Sequence, residues 1–113
     1  MSIAVNMAEL YEILKRIAQS KDRITYEDLS QAYKAETGDD VHRRQWGPWL
    51  GKLSGRCTDA GLPPISTVVV SDTDKLPGDG YWGIPGAPPY KDYNAWKVVC
   101  DQVYSAAWPP VVP

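Results

Sequence analysis

The sequence predicts an α+β fold in a single domain over residues 1–113. Three observations support this prediction. Apolar residues recur at helical spacing in several segments, β-branched residues cluster between positions 65 and 71, and glycine and proline separate the segments. A chain of this length can bury one hydrophobic core but not two.

The first part of the chain predicts two helices. Apolar residues recur at each helical turn from Met7 to Ile17, which predicts an amphipathic helix over about residues 5–19. Thr25 is a favourable N-cap residue for a second, shorter helix over about residues 26–36, and Gly38 marks its end.

A third helix is expected to begin near Pro48, because proline inside a helix costs about 3 kcal/mol. Gly51 and Gly55 each cost this helix about 1 kcal/mol relative to alanine. Such a cost is usually offset by close packing, or it marks a surface that must approach something. Gly61 ends the helix. Four apolar residues predict its buried face: Trp46, Leu50, Leu53 and Cys57.

The second part predicts a β-hairpin and a last helix. The run from Ile65 to Ser71 is β-branched and apolar, and Tyr81–Ile84 follows a turn-rich loop as a returning strand. Helical spacing then predicts a helix over about residues 92–107. The proline-rich tail, residues 108–113, is not expected to be helical and should lie over the surface.

Three helices followed by a two-stranded ribbon form a winged-helix-like arrangement, in which the second and third helices make a helix-turn-helix and the third reads DNA. The segment Ile24–Leu29 (Ile-Thr-Tyr-Glu-Asp-Leu) resembles the second helix of the DNA-binding domain of alkylguanine-DNA alkyltransferases and their non-catalytic relatives. The reactive cysteine of those enzymes lies in a Pro-Cys-His-Arg motif. Here Cys57 is followed by Thr58, so the resemblance does not imply alkyl transfer.

Most of the chain also resembles a group of small uncharacterised bacterial and phage proteins with a winged-helix-like core. The resemblance implies a fold and no function. The matching motifs are Leu50-Gly51, Gly61-Leu62-Pro63-Pro64, Val69-Val70, Pro77-Gly78-Asp79-Gly80-Tyr81 and Trp108-Pro109-Pro110.

Residues 42–56 form a basic segment within an acidic chain. The whole chain has a net charge of −2, and this segment holds four cations and no acid. The remaining eight lysines and arginines stand against fourteen acids, so the rest of the chain carries −6. Cations suit phosphates, and planar or hydrogen-bonding groups suit bases. The alternative is a set of solvated cations beside a buried helix. The candidate nucleic-acid contacts are Arg43, Arg44, Gln45, Trp49, Lys52 and Arg56.

A second hypothesis is a phage-type protein-interaction module that inhibits or modulates a host defence protein. Three aspartates in the turn-rich loop would meet a basic partner, and tryptophan and tyrosine are enriched at binding hot spots. The alternative interpretation of these aspartates is a solvated turn. The candidate protein-binding residues are Asp72, Asp74, Asp79 and Trp82.

Catalysis, cofactors and metals are not expected. His42 is the one histidine, and Cys57 is predicted on the buried face of a helix, where a thiol is inert. Asp72-Thr73-Asp74 begins like a calcium loop but lacks the third acid and the glycine. Both cysteines are expected to be reduced and buried.

The partners left open are DNA, a host protein and a second copy of the chain. A membrane is not expected, because no apolar run reaches the roughly 18 residues of a membrane span. Residues 1–6 lack the pattern of a signal peptide, which favours a cytoplasmic location.

Overall fold

The computed structural model describes residues 4–113, and within that range it is an α+β protein with four α-helices and a two-stranded sheet. The prediction that residues 1–6 lack the pattern of a signal peptide falls partly on residues 1–3, which lie outside this range. None of the helices within residues 4–113 is long and apolar enough to cross a membrane. The helices are α1 (Met7–Gln19), α2 (Tyr26–Thr37), α3 (Trp46–Asp59) and α4 (Tyr93–Ser105), and the strands are β1 (Ile24–Thr25) and β2 (Val69–Val70).

Local capping signals determine where the first two helices begin. The side-chain oxygen of Asn6 accepts the backbone N–H groups of Ala8 and Glu9, at 3.0 and 3.2 Å. The hydroxyl oxygen of Thr25 accepts the N–H of Asp28 at 3.1 Å, as the sequence predicted. Each such cap contributes about 1 kcal/mol. These bonds fix the entry of the chain into α1 and α2.

The predicted β-hairpin is wrong. Ile65–Val68 is a 3₁₀ helix, and only β2 is extended. Strand β2 pairs in parallel with β1, so that Ile24 faces Val69. The backbone N–H and the hydroxyl of Thr67 both donate to the carbonyl oxygen of Pro64, at 3.2 and 2.7 Å, and close the turn. Because all residues from 65 to 70 are buried, the run has no alternating pattern that distinguishes a strand from a helical turn.

The segment predicted as the returning strand, Tyr81–Ile84, is a series of turns. The backbone N–H of Tyr81 donates to the carbonyl of Gly78 at 3.1 Å, and that of Ile84 donates to the carbonyl of Tyr81 at 3.3 Å. Gly83 has a φ of +86°, which is not a strand conformation and which glycine adopts without strain. Between β2 and α4, the chain forms an irregular loop over residues 71–92.

The core has two clusters. The main one contains the predicted face of α3, and all four of its residues are buried: Trp46, Leu50, Leu53 and Cys57. The smaller one joins α4 to the loop 71–92 through Val70, Tyr81, Trp96 and Cys100. The cysteines therefore lie in different clusters, and both are free and buried, as predicted. The tail is non-helical, as predicted, but it does not lie wholly over the surface, because Trp108 is buried in the main cluster. The hydroxyl of the buried Tyr11 in α1 donates to the carbonyl oxygen of Pro109.

A buried serine pair gives a test of how α3 holds the 3₁₀ helix. The hydroxyl of Ser54 bonds to the Ser66 hydroxyl at 2.7 Å and accepts the Ser66 N–H at 3.0 Å. Ser54→Ala leaves these groups unpaired, so we expect the free energy of unfolding in urea to fall by about 1–3 kcal/mol. The exposed control, Ser105→Ala, should stay within about 0.5 kcal/mol. A loss no larger than that of the control would contradict the prediction.

Three buried side chains keep their protons in the folded protein. Burial raises the pKa of Cys57 and Cys100 to about 11 and that of Tyr81 to about 12. A raised pKa means that, at high pH, the folded state retains a proton that the unfolded state has released. The free energy of unfolding should therefore fall as the pH rises from about 9 to about 12. Urea unfolding measures this decline, which should be shallower in Cys57→Ala. An unchanged decline in that variant would count against the assignment.

Candidate nucleic-acid interface

Residues Arg43–Gln45 form a 3₁₀ turn, here called the basic turn, that leads into α3. Nδ1 of His42 accepts the N–H of Arg44 at 3.1 Å, and Oε1 of Gln45 accepts the N–H of His42 at 2.9 Å. These bonds satisfy N–H groups that a helix start leaves unpaired. Gln45, predicted as a base contact, is thus a capping residue through its oxygen.

The first residue of α3, Trp46, anchors the basic turn. Its indole N–H donates to the hydroxyl of Ser30 at 2.8 Å. Its ring packs edge-on against Tyr33 of α2, with ring centroids 5.4 Å apart and planes at 80°. Because Trp46 is fully buried, the two arginines that precede it are held at the surface at a defined place.

A groove of about 450 Å³ separates the first half of α3 from the loop 71–92. Arg43 and Arg44 line it on one side, next to Gly47 and Gly51 of α3. The turn Gly78–Tyr81 lines the other side. The groove therefore combines two guanidinium groups with bare backbone.

Tyr26 connects α2 to the far side of the groove, because its hydroxyl oxygen accepts the Gly78 N–H at 2.7 Å. Burial raises the pKa of Tyr26, and the nearby Asp74 and Asp79 raise it further, so the hydroxyl keeps its proton at neutral pH. Within residues 4–113, that proton has no acceptor, and the backbone N–H groups of Asp79 and Gly80 have none either. All three of these hydrogen-bond donors belong to residues that line the groove.

Gly47, Gly51 and Gly55 follow one another at intervals of four along one flank of α3. A methyl group placed on any of them would meet no atom within 4 Å. Close packing therefore does not explain these glycines. The other usual explanation for a helical glycine is a helix surface that another molecule must approach closely. Gly47 and Gly51 line the groove, whereas Gly55 lies outside it.

The structure divides the four cations of the basic segment into two pairs. Arg43 and Arg44 line the groove. Arg43 forms an ion pair with Glu27 at 3.6 Å, whereas Arg44 has no ion pair with any residue from 4 to 113. At about 100° per residue, Lys52 and Arg56 lie on the flank of α3 opposite the glycines. Two cations therefore border the groove, and two lie around the helix from it.

The remaining predicted contacts have partners of their own. Lys52 lies with its Nζ 5.7 Å from the ring centroid of Trp49, and Trp49 is half-buried against the core. Nε and Nη2 of Arg56 both donate to the carbonyl oxygen of Pro113, at 3.0 and 2.8 Å. Arg44 and Lys52 are thus exposed cations with no acidic partner in the described part of the chain, while the tail occupies Arg56.

The three loop aspartates do not form one acidic cluster. Asp72 pairs with Lys75 at 3.3 Å, and Asp74 pairs with Lys91. The Lys91 contact holds the pKa of Asp74 below its usual value and raises the pKa of Lys91. Asp79 lines the groove and has no ion pair within residues 4–113.

Some residues have a different role in the structure from the one that the sequence predicted. Trp82, predicted as a protein contact, is half-buried and donates its indole N–H to the carbonyl of Pro77 at 3.2 Å. Tyr26 was not among the predicted site residues, and of the segment Gly78–Tyr81 only Asp79 was, as a candidate protein contact. No local signal brings these segments together, because Tyr26 and Gly78 are 52 positions apart.

The open glycines of α3 yield a stability test. Gly51→Ala and Gly55→Ala should each raise the free energy of unfolding by about 0.5–1 kcal/mol, because alanine favours the helix and meets no neighbour. Gly61→Ala serves as the opposite control. Its φ of +81° strains alanine, so that variant should be less stable. Urea unfolding measures all three, and a destabilising Gly51→Ala would show that a hidden packing role exists.

Comparison of the chain with protein-family models, with curated proteins and with solved structures finds no match of any of the three kinds.

Proposed function

We propose that this protein is a non-catalytic nucleic-acid-binding protein that contacts a phosphate backbone through the basic turn, α3 and the groove. The observation that carries the proposal is the bare backbone of α3 at Gly47 and Gly51, which lines the groove beside Arg43 and Arg44. Glycine lets another backbone approach closely, and arginine pairs with phosphate through paired hydrogen bonds. The wing is missing from residues 4–113, since the predicted hairpin is wrong, and what supports the proposal is the order of α2 and α3. In a helix-turn-helix made of these two helices, α3 would be the one that meets DNA.

The donors in the groove support the same ligand. Backbone N–H groups and tyrosine hydroxyls are common partners of phosphate oxygens. The amides of Asp79 and Gly80 and the hydroxyl of Tyr26 supply both kinds. The carboxylate of Asp79 repels phosphate, which favours a phosphate position near the arginines. The carboxylate of Asp79 would instead accept a hydrogen bond from the amino group of a base.

Two observations support a non-catalytic role in a reducing compartment. His42 is exposed and caps the basic turn, whereas Cys57 is fully buried. Burial raises the pKa of Cys57 to about 11, so at neutral pH it is a thiol and a poor nucleophile. Two free thiols suit a cytoplasmic location.

A mobility-shift series with short duplex and single-stranded DNA tests the proposal. Contacts from Arg43, Arg44 and Lys52 predict a slope of about −2 to −3 for log affinity against log salt. Arg44→Glu should weaken binding and make the slope shallower by at least about 0.7–0.9. Lys97→Glu makes the same charge change at an exposed position of α4 and should leave the slope unchanged. A slope near zero, or no shift at low salt, would refute the proposal.

A second arm separates binding from folding. Gly51→Gln places a side chain in the groove, whereas Gly55→Gln places the same side chain on the same helix outside the groove. Both substitutions favour the helix. The Gly51 variant should bind more weakly than the Gly55 variant at equal or higher stability. Equal affinities would show that the groove takes no part.

A protein-binding role is the second candidate, favoured by an exposed patch around the start of α4. Tyr90 and Tyr93 are 71 and 51% exposed. The ion pair between Asp74 and Lys91 places this patch beside the loop 71–92. The partner would be a host defence protein or a second copy of the chain. Absence of any DNA shift, together with a protein contact that Tyr93→Ala abolishes, would favour this role.

A further inference from the structure

The tail after α4 begins with a firm anchor. Trp108 is buried, and its indole N–H donates to the carbonyl oxygen of Val103 at 2.9 Å. One residue later, the carbonyl oxygen of Pro109 accepts the hydroxyl of Tyr11 from α1. These contacts join the tail to the main core cluster, which contains both aromatic rings.

The last residues are held by few contacts, one of which is apolar, because Val112 packs half-buried against the main core cluster. Nζ of Lys15 reaches the carbonyl oxygen of Pro110 at 3.3 Å, and the side chain of Val111 is 70% exposed. Beyond that point, the polar contact is the pair of hydrogen bonds from Arg56 to the carbonyl oxygen of Pro113. Segments with few buried contacts open locally without global unfolding. Residues 111–113, here called the strap, are therefore able to detach while the four helices stay folded.

The strap occupies one edge of the guanidinium of Arg56, next to the proposed contact Lys52. Arg56 follows Lys52 by four residues, so the two side chains are neighbours on α3. Pro113 takes both donors on the Nε–Nη2 edge of the guanidinium. An arginine uses such an edge for paired hydrogen bonds to a phosphate. One edge cannot bind the carbonyl oxygen and a phosphate at once.

We propose that the strap regulates nucleic-acid binding by competing for Arg56. This inference rests on the proposed function and concerns the side of α3 that carries Lys52, outside the groove. With the strap seated, the surface offers Arg43, Arg44 and Lys52. With the strap detached, Arg56 becomes an additional phosphate contact. A nucleic acid that binds the strap-free form more tightly shifts the population toward that form.

Salt dependence tests the proposal because it counts phosphate contacts. Removal of residues 111–113 should make the log affinity–log salt slope steeper by about 0.7–0.9 and tighten binding at low salt. Arg56→Gln should leave the slope of the full chain unchanged but should abolish the steepening in the shortened chain. Lys97→Gln, as the matched control, should leave the steepening intact.

A point variant removes the dependence on truncation. Arg56→Lys keeps the charge but lacks the fork that makes paired bonds to Pro113. The full-length lysine variant should therefore bind with the steeper slope of the shortened chain. Unfolding in urea, followed by the fluorescence of the five tryptophans, shows whether each variant is folded.

The outcomes separate the two proposals. Binding by full and shortened chains with equal slopes overturns the strap and leaves the proposed function standing. A shallower slope for Arg56→Gln in the full chain also overturns the strap, since Arg56 would then already contact the nucleic acid. Absence of binding by both chains overturns the proposed function and the strap with it. Binding by the shortened chain alone supports both.

Discussion

The indole of Trp46 lies fully buried between α2 and α3, and the arrangement of the surface around the basic turn depends on it. Its N–H is bonded to Ser30, and its ring packs on Tyr33. The hydroxyl of Tyr33 in turn accepts the N–H of Asn6, the N-cap of α1, at 2.8 Å. One aromatic contact therefore connects the starts of α1 and α3 through α2. The guanidinium groups just before Trp46 are placed by the core and need no rigid contacts of their own.

The helices, their caps and their buried faces were predictable because each depends on residues within a few positions of one another. Pro48 illustrates a small error. It suggested a helix start near itself, but α3 begins at Trp46, because proline in a first turn has no N–H bond to lose. The run Ile65–Val70 was not predictable as a strand or a turn, since its direction depends on the Pro64 carbonyl that Thr67 bonds. A uniformly apolar run does not record that bond.

The candidate site was predictable only in part, for a related reason. Charge along the chain located Arg43 and Arg44, and they do line a groove. The chain alone did not indicate which cations would be free, because Glu27 lies in another helix and Pro113 lies in the tail. The number of cations in the sequence therefore gives an upper limit on the cations that a binding surface can use. Tertiary contacts determine how many of those cations lack a partner.

The parallel ladder of β1 and β2 has a consequence for the order in which the chain folds. It is two residues long and joins positions 24 and 69, so closing this loop costs chain entropy that so short a ladder cannot offset. We expect the ladder to form only after the first three helices have docked. Val70 belongs to both the ladder and the smaller cluster. We therefore expect the loop 71–92, which completes the groove, to take its position only after the ladder has formed. The groove is then among the last parts of the molecule to assemble.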